Sequence, residues 1–157
     1  MGPQGPAGPQ GPAGPGSVEK NLATDQLTQD AEARTYNQNG QTLGFTNGQT
    51  GFGTATPNST VHIAGTLSLP IRATYTSTAL GATDHTLVQY AGGLTLTLPS
   101  AASCAGRVYI LKNLANADNT TSVNFISEDG ASENRIIKNR VYWLQSDGVS
   151  WQQINTD

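Results

Sequence analysis

The second half of the chain alternates hydrophobic and polar residues over short runs, a pattern typical of β-strands. The clearest case is LTLTLP (94–99), in which three leucines alternate with two threonines before Pro99 ends the run. Gly92-Gly93 and Asp147-Gly148 separate such runs and are typical of turns. The other predicted strands are HTLVQY (85–90), RVYILKN (107–113), SVNFIS (122–127), RIIKNRVYWLQS (135–146, two strands or one bent strand) and VSWQQI (149–154).

About seven short strands in so few residues predict an all-β head over residues 74–157. The expected architecture is an antiparallel β-sandwich of jelly-roll character. Its predicted core contains Leu96, Leu98, Val108, Ile110, Leu144, Trp151 and Ile154.

Residues 1–16 follow a different period and are predicted to be a collagen-like stalk, because glycine recurs at every third position from Gly2 to Gly14 and proline follows each of these glycines. Only glycine fits at the axis of a collagen triple helix, so this register predicts three chains and a homotrimer. Fifteen residues at about 3.1 Å each make a rod of roughly 45 Å, which is too short to hold three chains together alone. The stalk is therefore a spacer, and the rest of the chain must trimerise. The predicted axis residues are Gly2, Gly5, Gly8, Gly11 and Gly14.

Residues 17–36 are predicted to be a neck or linker. Only SVEKNLATDQLTQDAEAR (17–34) is compatible with a helix, with Ser17 as its cap. Its apolar residues follow the helical period loosely, so a three-stranded helical bundle and a non-helical connector both stay open.

Residues 37–73 are predicted to be a β-rich trimeric shaft. NGQTLGFT (39–46) is followed directly by NGQTGFGT (47–54), and Asn-Gly is typical of type I′ turns. A unit of eight residues buries little by itself, but wound with two other chains it can form a shaft. The following stretch, FGTATPNSTVHIAGTLSL (52–69), resembles a G-x-G-T-x-x-P-x-x-x-L-x-V-x-G segment that precedes the tip domains of many bacteriophage tail fibres, spikes and related adhesins.

The head carries a more specific resemblance to the same class of proteins. LTLTLPSAASCAGRVYILKN is similar to the T-V-T-L-P-x-A-x-x-x-x-G-R-x-Y-x-I-K-N signature of a C-terminal head, and LQSDGVSWQQI is similar to its closing hairpin. The match covers roughly residues 84–154. It implies a domain found at the ends of phage tail fibres, virion spikes and some bacterial surface proteins, often behind collagen-like stalks. Residues 115–140 match no motif, so no ligand follows from the resemblance.

Composition narrows the partners. Charged residues make up 12% of the chain, the net charge is −3, and no basic patch is present, which disfavours nucleic acid. The single cysteine, Cys104, excludes an intrachain disulfide and is expected to be a small buried or half-buried residue. No stretch is apolar enough to span a membrane, and no signal peptide follows Met1. Cytoplasmic synthesis and a fragment of a longer chain are both compatible with this start.

The sequence contains no recognisable catalytic or metal-binding constellation, so we expect neither an enzyme nor a cofactor. Glu128-Asp129 beside a glycine favours a solvated loop over a glycosidase pair. His62 and His85 lack partners at metal-ligand spacing, although a trimer would place three copies of His62 around one axis.

The predicted function is that of a trimeric viral, bacteriophage, spike or fibre that projects its head from the virion for attachment to a host receptor. Its partners would be two further copies, a virion vertex or tail protein at the N-terminus, and a host surface glycan or protein. A virion decoration or vertex protein without receptor binding, and a bacterial collagen-like adhesin, are the alternatives.

Tyr142 and Trp143 point to opposite faces of one strand, so one should be outside. The receptor-binding candidates are Asn116, Asp118, Asn119, Thr120, Asp129, Ser132, Glu133, Asn134 and Tyr142.

Overall fold

The computed structural model describes residue 35 and residues 37–156. The collagen triplets with their axis glycines, and all but one residue of the predicted neck, lie outside the described residues. The chain divides into two units after Gly48, and every strand among the described residues lies in the second unit.

Short alternating runs form eleven strands, and the described residues contain no α-helix. β1 (Thr50–Phe52) and β2 (Val61–Ile63) pair in parallel as a small separate sheet. A 3₁₀ turn covers Ala101–Ser103. The other strands form one nine-stranded sheet and are β3 (Ile71–Thr74), β4 (Thr78–Ala79), β5 (Thr86–Gln89), β6 (Thr95–Thr97), β7 (Val108–Asn113), β8 (Asn119–Ile126), β9 (Ser132–Ile136), β10 (Val141–Ser146) and β11 (Trp151–Gln153).

The chain winds between two rows of parallel strands. β3, β5 and β7 are parallel neighbours in one row, which we call the odd row, and β4, β6 and β8 are parallel neighbours in the even row. β10 lies antiparallel to β7, and β11 pairs with both β10 and β8, so these two strands join the rows into one continuous sheet. β9 folds back along β8. The result is an all-β, barrel- or sandwich-like domain.

This topology confirms the all-β prediction and corrects the expected antiparallel pairing. Five of the eight strand pairs in the large sheet are parallel. Alternation along a strand specifies its two faces but not its partner or direction. A parallel pair needs a crossover, and here the strands of the opposite row provide it: Ile71 pairs with Thr86 only after the chain has passed through β4.

The segment before the large sheet has little buried surface of its own. Asn39 and Gly40 both have positive φ, and Gln41 N–H donates to the Gln38 carbonyl at 2.8 Å, which confirms the type I′ turn in the first repeat. In the second repeat Asn47 has a positive φ but Gly48 does not, so this Asn-Gly pair does not form a type I′ turn. The predicted boundary between residues 73 and 74 falls inside β3, so the large sheet begins at Ile71. Large apolar side chains of the segment that are exposed within one chain are Leu43, Phe45, Phe52, Val61, Ile63, Leu67 and Leu69.

The core lies between the two rows, and its centre is Trp151. The indole of Trp151 stacks on Tyr109 with ring centroids 5.2 Å apart, and its Nε1–H donates to the Pro99 carbonyl at 3.0 Å. Cys104 is buried, as expected, and its Sγ–H donates to the Ser100 carbonyl. Of the predicted core residues, the structure buries Leu96, Leu98, Leu144 and Trp151.

Three predicted core residues lie instead on the outside of the sheet. Val108 and Ile110 are half-buried, and Ile154 is 51% exposed. In β7 the inward residues are Tyr109 and Leu111, which are fully buried. The strand is apolar on both faces, so its sequence alone could not decide which face is inward.

Buried amide side chains satisfy the backbone at one end of the odd row. Asn113 Nδ2 donates to the carbonyls of Ala117 and Ile136, at 3.1 and 3.0 Å. Asn119 donates through Nδ2 to Gln89 Oε1 at 2.6 Å and accepts from the Leu94 N–H at 2.8 Å.

Arg72 connects the two edge strands of the sheet and forms an ion pair with the loop that follows β4. Arg72 on β3 binds the Asp84 carboxylate, with Nε and Oδ1 2.5 Å apart, and donates through Nη2 to the Ala79 carbonyl of β4 at 3.0 Å. The Gly81 N–H donates to Asp84 Oδ2 at 2.8 Å. The Arg72 hydrogen bond is the main cause that lowers the pKa of Asp84, and burial opposes it.

We predict that Asn119→Ala lowers the free energy of unfolding by about 2 kcal/mol, because it leaves buried partners without a hydrogen bond. Urea unfolding of the purified protein measures this change. Asn116→Ala is the matched control: Asn116 is exposed, and we expect a change within about 0.5 kcal/mol. Equal losses in the two variants would contradict the structural role of Asn119.

We also predict an acid-sensitive contribution from Asp84. Its pKa is lower folded than unfolded, so its stabilisation is complete above about pH 5, decreases as the pH falls through the unfolded value of about 3.9, and is lost below the folded pKa. The difference in unfolding free energy between the wild type and Asp84→Asn should therefore decrease as the pH falls from 6 to 3. A difference that does not change with pH would contradict this prediction.

Candidate functional site

A polar cleft of about 130 Å³ lies beside the hairpin of β8 and β9. It brings together Asp129, Glu133 and Tyr142 from the sequence-predicted candidates. The hairpin provides most of the wall, while β10 and β11 contribute one residue each. The cleft is lined by Ser127, Glu128, Asp129, Glu133, Arg135, Ile137, Tyr142 and Gln153.

The turn between β8 and β9 holds the Asp129 carboxylate in one orientation. Asp129 Oδ1 accepts from Ser127 Oγ at 2.6 Å and from the Ala131 N–H at 3.0 Å. Gly130 follows with φ of 87°, a conformation that a residue with a Cβ rarely adopts. The hydrogen bond from Ser127, then that from Ala131, lowers the pKa of Asp129, so this group is an anion at neutral pH.

Arg135 connects β9 to the residues just before β8. Its Nε lies 3.8 Å from Asp118 Oδ2, and Asp118 Oδ1 accepts from the Lys138 N–H at 2.9 Å. Arg135 is 60% exposed, so solvent screens this ion pair, and its main effect is to position the guanidinium next to the cleft. Glu133 lies two residues earlier on β9 and therefore on the same side of the strand.

The C-terminal strand completes the cleft through Gln153. Its Nε2 donates to Glu128 Oε2 at 3.4 Å and to the Asn155 carbonyl at 3.1 Å. Sequence reasoning missed Gln153, because no local pattern indicates that β11 lies parallel to β8.

Two of the predicted contact residues are internal. Asn119 is fully buried in the amide network described above. Tyr142 is 2% exposed: its ring packs edge-on against Phe125, and its hydroxyl accepts from the Ile137 N–H at 3.3 Å. Both are corrected to structural residues. The aromatic side chain outside is Trp143, which is 44% exposed.

The remaining candidates lie at the surface but do not all meet in the cleft. Thr120 is half-buried, with its Oγ1 3.3 Å from that of Thr95. Ser132 is exposed and accepts from Asn124 Nδ2 at 2.9 Å. Asn116 and Asn134 are also exposed.

The cleft combines three carboxylates, one guanidinium and one amide, which suits it to hydrogen-bond the hydroxyl groups of a glycan. Among residues 37–156, no group of three or more His, Cys, Asp or Glu side chains is arranged to hold a metal ion. His62 is half-buried, and its Nδ1 accepts from the Asn58 N–H at 3.3 Å.

No protein-family model, curated protein or solved structure matches this chain. Within the part of the chain that the structure describes, no helix has the length and apolar character needed to cross a membrane.

We predict that Ser127→Ala raises the pKa of Asp129 toward its ordinary value, because it removes the hydrogen bond that contributes most to the shift. A carboxyl titration followed by NMR measures the change. Ser132→Ala is the matched control, since its hydroxyl bonds Asn124 rather than Asp129. An unchanged Asp129 titration in Ser127→Ala would contradict the orientation of the turn.

Proposed function

We propose that this chain is a subunit of a homotrimeric viral, bacteriophage, spike or fibre, which projects its head from the virion surface to attach to a receptor on the host. In this proposal the collagen triplets are a short spacer, and the N-terminus joins a vertex or tail protein. The head carries the receptor-binding surface.

The observation that carries the proposal is the exposure of residues 37–70 within one chain. β1 and β2 have three residues each, and their exposed apolar side chains include Phe52, Val61 and Ile63. A two-stranded sheet of this size is at best marginally stable alone in water, which supports coverage of its exposed side chains by further chains. The glycine register before it predicts a triple helix of three chains, which supports the same number for the shaft.

A glycan or a polar protein surface is the receptor class that the cleft supports. Its carboxylates accept hydrogen bonds from hydroxyl groups, and Arg135 adds donors. Single contacts of this kind are weak. Three heads on one stalk bind more tightly than one head, because binding of the first head raises the effective concentration of the other two at the host surface.

Adsorption competition tests the function. Light scattering first checks that the purified protein has three times the chain mass of 16.4 kDa. The trimer should then block adsorption of the virus that encodes it. No competition at saturating trimer, together with fragile particles after deletion of the head, would favour the decoration protein instead.

A variant pair tests the cleft. We expect Arg135→Ala to weaken competition by about five- to tenfold, as for the loss of a contact worth about 1 kcal/mol. Arg140→Ala is the matched control, because its side chain lines a different groove with Val141 and Asn155. If the two substitutions weaken competition equally, the cleft is not part of the receptor-binding surface.

A further inference from the structure

The two rows of the large sheet have different outer faces. The strand register aligns Ile71, Thr86, Ile110 and Trp143 across the odd row, and Ile154 continues the line through its N–H bond to the Trp143 carbonyl. The neighbouring line consists of Ala73, Val88, Lys112 and Val141. We call these two lines the odd-row outer face. Lys112 is its one charged residue.

The outer positions of the even row are mostly polar, and the apolar exceptions on β8 are Val123, which is 42% exposed, and the half-buried Ile126. Thr95 pairs with Thr120, and Ala79 pairs with Thr97. Ser122 and Asn124 on β8 are exposed. Two rows of three strands each therefore present different surfaces, and the larger continuous apolar surface, of the kind that marks an interaction site, lies on the odd row.

Several large side chains of the odd-row outer face are solvent-exposed in the single chain. Ile71 is 69% exposed, Ile154 is 51% exposed and Trp143 is 44% exposed. Tyr75 and Tyr90 extend the apolar surface beyond β3 and β5, where their rings stack with centroids 5.3 Å apart. A contiguous patch of branched aliphatic and aromatic residues has the composition of the central part of a protein interface.

The same patch continues along the chain toward the shaft. Leu67 and Leu69 are exposed and alternate with polar or proline residues up to Ile71. Apolar side chains at every second residue therefore lead from the shaft segment into the first line of the outer face. Chains that associate along residues 61–70 would be held next to each other where β3 begins. A second copy of this chain is therefore the partner that is nearest to the patch.

We propose that the odd-row outer face packs against the other copies of this chain in the trimer, and that it lies toward the threefold axis. This inference rests on the trimer in the proposed function. It follows that the polar outer face of the even row and the hairpin of β8 and β9 face away from the axis, where a receptor can reach them.

Two exposed alanines provide a matched test on the full-length chain. Ala73 lies on the odd-row outer face, and Ala79 lies on the outer side of the even row. Each is replaced by cysteine, and the native protein is labelled with a hydrophilic maleimide, with labelling of Cys104 subtracted as the wild-type background. We expect the Ala73→Cys thiol to react at least about tenfold more slowly than the Ala79→Cys thiol, and the two to react equally in denaturant.

The molecular mass of the same samples distinguishes a failure of the inference about the outer face from a failure of the proposed trimeric spike. If the protein is trimeric and both thiols react equally fast, the inference about the face is overturned and the proposed trimeric spike survives. If the wild-type protein is monomeric, the proposed function fails and the inference fails with it.

A second variant pair tests whether another copy or a part of the same chain packs on the odd-row outer face. Trp143→Glu places a charge on the odd-row outer face, and Val149→Glu, at a residue 86% exposed in the turn before β11, is its control. If other copies cover the face, Trp143→Glu should lower the urea midpoint of trimer dissociation and make it more dependent on protein concentration. If another part of the same chain covers the odd-row outer face, the dissociation midpoint of Trp143→Glu will match that of Val149→Glu. That result would overturn the inference.

Discussion

The apolar layer between the two rows of strands is the interaction on which the rest of this structure depends. The described residues have no disulfide and no α-helix to cover the sheet, so the sheet must close around its own side chains. Trp151 makes this closure possible, because it belongs to the strand that joins the rows and stacks on Tyr109 of the odd row. A chain that winds repeatedly between two rows brings its turns to the ends of the strands, where buried amides such as Asn113 and Asn119 bind the turn backbone.

The same winding has a consequence for function. Each turn of the chain places one strand on an apolar outer face and the next strand on a polar outer face. In the proposed trimer, an axis-facing surface and a solvent-facing surface would therefore be built from neighbouring segments of sequence. In the proposed spike, three heads would share an axis and direct their polar loops outward, and the hairpin of β8 and β9 could differ in sequence without disturbing that assembly.

The candidate cleft depends on this fold but contributes little to its stability. Arg135 and Glu133 lie on β9, which pairs with the large sheet only through β8, and Asp129 lies in the turn between β8 and β9. Substitutions there are therefore expected to change binding more than folding. Tyr142 and Asn119 have the opposite role, because both are buried and fix the positions of elements around the cleft.

Much of the secondary structure follows from the sequence, because alternation and turn residues act over a few positions. LTLTLP became β6 with its leucines buried, and Asp147-Gly148 became the turn before β11. The sequence also determines the glycine register, which is the basis for proposing three chains. The tertiary structure alone decided the partners and directions of the strands, and hence that Gln153 meets Glu128 and that Ile110 faces outward while Tyr109 faces inward. The reason is physical: local patterns constrain the conformation of a segment, whereas pairing depends on how distant segments share one core, and a strand that is apolar on both faces gives no local indication of which face that core will cover.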